Sequence, residues 1–144
     1  MNGVILVIGS DSPWIETLLL DKGAAKIITL EYAKITVQHP NITIMSPKEL
    51  KILYSQTKEP IFDAVVSFSS IEHSGLGRYG EALNPWGDLI TMAKSWCLTK
   101  LGGKFLLGKQ MNTSHRPTSS QMSTFNFKHF LCNLFPTFFR NAIN

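Results

Sequence analysis

Two side chains suited to proton transfer, Glu72 and His73, directly follow the apolar segment 62–69. A histidine changes its charge near neutral pH, so at the ligand-binding edge of a sheet it can take a proton from a substrate. We therefore consider His73 a candidate general base and Glu72 the residue that orients it. The alternative is a histidine that is hydrogen-bonded within a loop and does no chemistry.

A second pair of residues is suited to holding a nucleoside. Gly9 ends the first apolar segment of the chain, and Glu31 ends the second one about 22 residues later. A glycine lets the backbone turn and approach a ligand, and a carboxylate at the end of a second strand can accept hydrogen bonds from both ribose hydroxyls. The alternative is a tight turn followed by a solvated acid.

The segment 75–80, GLGRYG, matches the pattern GxGxxG of dinucleotide-binding loops. It follows the fourth apolar segment rather than the first, and no strand ending in an acid lies about 20 residues further on. We therefore expect a flexible loop that covers a ligand. The polar residues in and after it that could orient a substrate are Arg78, Tyr79, Asn84 and Asp88.

These candidates need elements that position them, and the chain alternates segments of strand and helix character. Strands are expected at residues 3–10, 25–31, 42–45, 62–69 and 104–108. Helices are expected from residue 12 to Gly23, from Ser46 to about Thr57, and over 86–98. In the first helix Ser12 would be the N-cap and Pro13 the first helical residue; in the second, Ser46 and Glu49 have the spacing of a capping box. Alternation of this kind predicts a doubly wound, Rossmann-like α/β sheet with mostly parallel strands.

Composition narrows the classes of protein. A chain of 144 residues with 44% hydrophobic residues forms one globular core rather than a disordered tail. The net charge of +4 arises mainly after residue 110, where three basic residues and no acid occur, so we expect no nucleic-acid partner. No apolar segment has the roughly 18 residues of a membrane span, and no signal sequence is recognised, so a cytoplasmic location is expected. Two cysteines without ligand spacing predict buried thiols and no metal site.

The composition changes near residue 110. Residues 1–110 are expected to form the domain, whereas 111–124 are polar and 125–139 contain six of the nine phenylalanines. This tail is interpreted either as a loop with a short aromatic helix on the sheet or as an ending foreign to the fold, for example of a truncated chain.

The passage FDAVVSFSSIEHSGLGRYGEALNPWGD, together with VIGSDSPWIE, TLEY and GGKFLLG, resembles a nematode-rich family catalogued as domain of unknown function 268. The resemblance covers about residues 3–109. That family is similar to divergent class I S-adenosylmethionine-dependent methyltransferases. The strand segments named above number five, and, compared with a methyltransferase sheet, residues 111–144 offer no counterpart of its final antiparallel strand pair.

The resemblance also implies a cofactor, S-adenosylmethionine, and a site for it. Glu72 and His73 stand where many small-molecule methyltransferases have a Leu-Glu-His sequence. The residues implied to surround the cofactor are Gly9 and Ser10 at the methionine part, Glu31 at the ribose, and Ser69 and Ser70 along the site. The expected activity is methyl transfer to a small or carbohydrate-like acceptor; the alternative is a non-catalytic module that binds a nucleoside or a protein, including an inactive truncated form.

Overall fold

The computed structural model describes residues 2–111 and 119–126. The strands are β1 (Val4–Ile8), β2 (Lys26–Leu30), β3 (Ile42–Met45), β4 (Phe62–Phe68), β5 (Thr99–Met111) and β6 (Ser119–Asn126). The helices are α1 (Trp14–Asp21), α2 (Pro47–Thr57) and α3 (Gly87–Leu98), with a 3₁₀ turn at Ile71–His73.

The six strands form one sheet in the order β3-β2-β1-β4-β5-β6. The first five run parallel, so the doubly wound α/β class expected from the sequence is confirmed. From β1 the chain moves outward to β2 and β3 and then returns to β4 on the other side of β1. Strand order thus reverses between β1 and β4, and in open α/β sheets ligands bind at that point, beyond the carboxyl ends of the strands.

The two faces of the sheet carry different helices because successive side chains of a strand point to opposite faces. Ile5 and Val7 of β1 belong to the cluster that packs on α1. Leu6 and Ile8 belong to the larger cluster under α2 and α3. The three helices therefore cover both faces and leave the carboxyl ends of β1, β2 and β4 to the loops.

Helix α2 begins as the sequence predicts. The Ser46 side chain accepts a hydrogen bond from the Glu49 amide, and the Glu49 carboxylate accepts one from the Ser46 amide at 2.7 Å. This capping box, with Pro47 in the first turn, satisfies amides that have no partner within the helix. Hydrogen bonds from the amide and hydroxyl of Ser46 lower the pKa of the Glu49 carboxyl.

Helix α1 begins one residue later than predicted and ends where expected. Pro13, not Ser12, is the N-cap, and no side chain caps the helix. The Ser12 carbonyl instead accepts hydrogen bonds from the Trp14 amide and the Ser10 hydroxyl, so Ser12 belongs to the loop. Gly23, at φ +85°, ends the helix: the amides of residues 23 and 24 donate to the carbonyls of residues 20 and 19, a Schellman motif.

The last two strands differ from the expectation. Strand β5 begins at Thr99, directly after α3, and its pairing with β4 is interrupted before Lys104; Gly102, at φ +78°, lies within this irregular stretch. Residues 119–126 form β6, which pairs antiparallel with β5. The expectation that residues 111–144 offer no counterpart of the terminal antiparallel strand pair is thereby corrected for one strand, β6. The sequence of β6 is mostly polar, so it lacks the alternating apolar residues by which a strand is predicted.

The remainder of the tail, residues 127–144, lies outside the described residues, and so does most of the aromatic segment 125–139. Within the described ranges, no helix has the length and apolar character needed to cross a bilayer. The same ranges contain no cluster of potential metal ligands. Cys97 is disulfide-bonded, so the expectation of a free thiol there is wrong.

Candidate functional site

A cavity of about 820 Å³ opens at the carboxyl ends of β1, β2 and β4. This volume is within the range of about 300–1,000 Å³ typical of small-molecule sites. The loops that follow these three strands contribute to its wall, and α2 and α3 extend it over the sheet. The residues of the expected site that line it are Gly9, Ser10, Glu31, Ser69, Ser70, His73 and Tyr79.

Gly9 brings the loops after β1 and β4 into contact. Its φ is +68°, and a Cβ atom at this position would overlap the Oγ and Cβ atoms of Ser70. Only glycine fits here, because any side chain would overlap Ser70 and adopt a left-handed conformation. The signal found in the sequence, a glycine at the end of the first strand, has this steric origin.

Ser10 is directed into the protein rather than into the cavity. Its hydroxyl lies 3.0 Å from the Glu16 Oε2 and 2.8 Å from the Ser12 carbonyl oxygen. Glu16 is only 1% exposed, and its other carboxylate oxygen accepts a hydrogen bond from the Thr29 hydroxyl at 2.7 Å. This buried carboxylate ties the β1 loop to β2. Sequence reasoning missed it, because an acid in the first turn of a helix is ordinarily solvated.

Glu31 closes the same loop from the side of β2. Its Oε2 accepts a hydrogen bond from the Ser10 amide at 3.1 Å, and its Oε1 accepts from the amides of Tyr32 at 2.8 Å and Ala33 at 3.4 Å. A carboxylate has about four lone-pair positions. The remaining one is on Oε2, so Glu31 can accept one ribose hydroxyl without giving up a protein contact.

The β4 loop combines strained backbone with the candidate base. Ser69 has a φ of +49°, unusual for a residue with a side chain, and its amide donates to the Gly108 carbonyl at 2.8 Å. His73 ends the 3₁₀ turn, and its ring lies 6.4 Å from that of Tyr79, edge to face. Strain of this kind is common at binding sites, where surrounding contacts hold it.

Four of the residues predicted from the sequence do not line the cavity: Glu72, Arg78, Asn84 and Asp88. No hydrogen bond joins the side chains of Glu72 and His73, both of which are described. The Asn84 side chain accepts from the Trp86 amide, and that of Asp88 accepts from the Leu89 amide, so both stabilise the entry to α3. Arg78 is exposed in the loop.

The glycine-rich loop owes its shape to its own residues. Gly75 passes so close to the Asn84 carbonyl and to Gly87 that neither glycine has room for a side chain. The Glu81 carboxylate accepts hydrogen bonds at 2.9 Å from the amides of Gly77 and Tyr79. The hydrogen bond from its own backbone amide lowers the pKa of Glu81 most. Burial opposes this effect, and hydrogen bonds from the amides of residues 77–79 lower the pKa further.

Glu81 also approaches the end of β2 across the mouth of the cavity. Burial raises the pKa of Tyr32, and the negative charges of Glu81 and Glu31 raise it further. All three residues line the cavity. The glycine-rich loop thus faces the loop after β2, which places it as one wall of the opening.

The sequence did not predict the residues that α2 and α3 contribute to the cavity wall. They are Lys48, Lys51 and Tyr54 from α2, and Thr91, Lys94, Ser95 and Leu98 from α3. Each set has the three- and four-residue spacing of one helix face. Burial lowers the pKa of Lys94, and the positive charge of Lys51 lowers it further. The three- and four-residue spacing is visible in the sequence, but a lysine on a helix is normally assigned to the solvent-exposed face.

Three of the solved structures similar to this chain are enzymes solved with S-adenosylhomocysteine or NAD+. The Burkholderia thailandensis 1,6-didemethyltoxoflavin-N1-methyltransferase, solved with 1,6-didemethyltoxoflavin and S-adenosylhomocysteine, has a TM-score of 0.54 and 14% identity. The match covers 98% of this chain and 60% of that one, so the chain spans less than two thirds of the enzyme.

Two other structures match less closely. The mycinamycin-pathway methyltransferase MycE, with Mg and SAH, has a TM-score of 0.42 and 17% identity, over 75% of this chain and 27% of that one. The Bordetella bronchiseptica enzyme WbmH, with NAD+, has a TM-score of 0.40 and 19% identity. That match covers 65% of this chain and 36% of WbmH. The sequence has no significant match among curated proteins.

The sheet order and the likeness to the toxoflavin-pathway enzyme define an α/β protein with the fold of class I S-adenosylmethionine-dependent methyltransferases. The sequence itself shows the family. The family model described as Caenorhabditis protein of unknown function, DUF268, matches residues 1–115, and the chain belongs to this family. The resemblance read from the sequence is therefore confirmed.

Proposed function

We propose that this chain binds S-adenosylmethionine in the cavity and transfers its methyl group to a small organic acceptor. The observation that carries the proposal is the convergence of the loops after β1, β2 and β4 on one cavity beside the reversal of strand order. A nucleoside is the ligand that this position favours in open α/β sheets. The toxoflavin-pathway enzyme, which has the same fold, holds S-adenosylhomocysteine.

The cofactor would be held mainly by the backbone and one carboxylate. Gly9 leaves the β1 loop without a side chain on the side of Ser70, which allows close approach of the methionine part. Glu31 offers its remaining acceptor position to a ribose hydroxyl. The side chains of Leu30, Tyr32 and Ile35 line the same part of the cavity and supply an apolar surface for the base.

His73 is the base that we assign to the transfer step. When bound, the cofactor would supply a methyl group from its sulfonium to an oxygen or nitrogen of the acceptor and would leave as a neutral thioether. The acceptor's proton passes to His73, which lines the cavity. Most of the acceleration comes from positioning, and removal of a proton by a base adds to it. Glu72 would act only through the backbone of the 3₁₀ turn, because its side chain does not line the cavity.

Calorimetric titration and thermal unfolding with S-adenosylhomocysteine test the binding step. At 100 times its dissociation constant a ligand stabilises the folded state by about 2.7 kcal/mol, which raises the melting temperature by several degrees. Glu31→Ala should remove this shift, whereas Glu59→Ala, an exposed acid outside the cavity, should retain it. Melting without ligand separates loss of the ribose contact from loss of the loop. No shift in the unsubstituted chain contradicts the proposal.

Turnover tests the catalytic step. His73→Ala should bind S-adenosylhomocysteine with unchanged affinity but should transfer labelled methyl groups to a small-molecule extract about 10²-fold more slowly or worse, the usual effect of losing a general base. His39→Ala is the matched control, since His39 lies outside the cavity. Equal rates for the two variants would exclude His73 as the base.

Two observations favour a second candidate, a nucleoside-binding module without catalysis. The backbone amides of three residues already occupy most of the Glu31 carboxylate, and the Ser10 side chain is turned away from the cavity. Both features stiffen the site around the unliganded loop. Saturable S-adenosylhomocysteine binding with no methyl transfer at any extract concentration would select this module.

A further inference from the structure

An aromatic pair at the end of β4 lines the cavity and has no role in the assignments above. Trp14 is the first residue of α1, Phe68 is the last residue of β4, and both line the cavity. Their ring centroids are 5.4 Å apart and their planes stand at 87°, which is an edge-to-face contact. Aromatic rings favour this geometry, so each ring holds the orientation of the other. The two residues therefore form an aromatic wall in the unliganded protein.

The Phe68 ring is also held from the side of β5. Gly108 is the partner of Phe68 on that strand, and a Cβ atom on it would overlap the Phe68 ring. The φ of Gly108 is not in the left-handed region, so the backbone conformation does not require glycine here. The missing side chain instead leaves the room that the Phe68 ring occupies. Strand β5 and helix α1 thus fix this ring from two sides.

Trp14 itself packs outside the hydrophobic core. It is 49% exposed and belongs to neither of the two core clusters, whereas Phe68 packs against the cluster next to α1. An indole ring contributes a large apolar area to binding when a partner covers it. Because Trp14 lines the cavity, its uncovered surface is available to a molecule bound there.

The position of this pair in the sheet separates it from the proposed ribose contact. Glu31 follows β2 and Gly9 follows β1, and β4 and β5 come next in the sheet. Two strand spacings, roughly 10 Å, separate β4 from β2. A cofactor held by Glu31 and Gly9 would thus leave the side of β4 to the acceptor. His73, the base assigned above, follows β4 and lies on that side.

We propose that Trp14 stacks on a flat aromatic ring of the methyl acceptor, so that the acceptor is an aromatic compound rather than a sugar. This inference rests on the proposed function for the word acceptor, whereas the ring-binding site itself does not. Tyr79, whose ring lies 6.4 Å from that of His73, adds another aromatic ring to the cavity wall. A sugar needs polar side chains for its hydroxyls. Asn84 and Asp88, which the sequence offered for this purpose, accept from local amides and do not line the cavity.

The experiment uses the whole chain and two uncharged probes, coumarin and methyl glucoside, titrated with and without S-adenosylhomocysteine and followed by NMR shifts. Saturable binding of coumarin is expected, and the glucoside should not bind. Trp14→Leu should weaken coumarin binding about tenfold, because it removes the aromatic contact. Trp86→Leu is the matched control and should change nothing, since Trp86 is 65% exposed and does not line the cavity.

A conservative variant and thermal unfolding separate a binding role from a structural one. Trp14→Phe keeps an aromatic ring and should retain most of the coumarin affinity that Trp14→Leu loses. Because Trp14 lies outside both core clusters, the Trp14→Leu and Trp86→Leu variants should melt at similar temperatures. Loss of binding in a protein that melts like its control cannot come from unfolding.

The outcomes distinguish this proposal from the one on which it rests. If coumarin binds at Trp14 but S-adenosylhomocysteine does not bind, the methyltransferase assignment fails and the ring-binding site stands. If S-adenosylhomocysteine displaces coumarin, the Trp14 surface belongs to the base of the cofactor, and the assignment to the acceptor is overturned. Tighter binding of methyl glucoside than of coumarin overturns the aromatic class. Equal coumarin affinity of the Trp14→Leu and Trp86→Leu variants, or no saturable binding, overturns the ring-binding site.

Discussion

The loop after β1 and the glycine-rich loop after β4 both line the cavity, but they are held in different ways. The β1 loop is fixed by side chains from two other elements. The buried Glu16 of α1 accepts a hydrogen bond from the Ser10 hydroxyl, and the half-buried Glu31 at the end of β2 accepts one from the Ser10 amide. The glycine-rich loop is fixed by one local carboxylate, Glu81, and by glycines that approach the backbone closely. The comparison indicates that the first loop is a rigid platform and the second an adjustable cover.

The largest effect is expected from glycines that occupy comparable conformations in the two loops. Gly9→Ala should destabilise the fold by about 3 kcal/mol, since the positive φ and the overlap with Ser70 both contribute. Gly80→Ala, at φ +87° with no neighbour within 4 Å, should cost only about 1 kcal/mol. Urea unfolding measures both.

A second substitution separates the steric overlap with Ser70 from the cost of the positive φ. In the double variant Gly9→Ala with Ser70→Gly, the overlap disappears and only the backbone term remains. Its stability should therefore recover most of the difference between Gly9→Ala and Gly80→Ala. Equal losses for the two single variants would mean that the loops are equally adaptable.

The next largest effect comes from the carboxylates that hold each loop. Glu16→Ala should lower the free energy of unfolding by about 2 kcal/mol, because it leaves the hydroxyls of Ser10 and Thr29 without their buried acceptor. Glu81→Ala should change global stability far less, since Glu81 anchors an exposed loop. Urea unfolding of the pair checks the order, and a larger loss for Glu81→Ala would reverse the interpretation.

The same contrast explains which parts of the site the sequence revealed. Gly9 and Glu31 were expected at the site because they lie at strand ends, and the sheet order brings those ends together at the cavity. Glu16 was not predicted, because its burial depends on the contact between α1 and β2, which are distant in the sequence. Lys94 was missed for the same reason. Asn84 and Asp88 were selected for their polarity, but local amides take up their side chains.

A smaller effect is expected where the backbone is strained. Ser69 at φ +49° and Lys58 at φ +55° are the non-glycine residues with positive φ among those described. Replacing either with glycine relieves about 1 kcal/mol of strain, partly offset by the greater chain entropy of glycine. Both variants should therefore be slightly more stable in urea. Only Ser69→Gly should also weaken S-adenosylhomocysteine binding, because Ser69 lines the cavity and Lys58 does not.

The smallest effect concerns the pH dependence of the cover. The folded chain lowers the pKa of Glu81 below its ordinary value of 4.5, so its contribution to loop order is complete above that value and is lost as the pH falls through the lowered pKa. The amide protons of Gly77 and Tyr79, which donate to this carboxylate, should shift in NMR spectra with one common midpoint below 4.5. In the Glu81→Gln variant that titration should vanish. The Ser10 amide donates to Glu31, a different carboxylate, so its chemical shift at neutral pH should be the same in the variant. A change of that shift would show that the two loops are not independent.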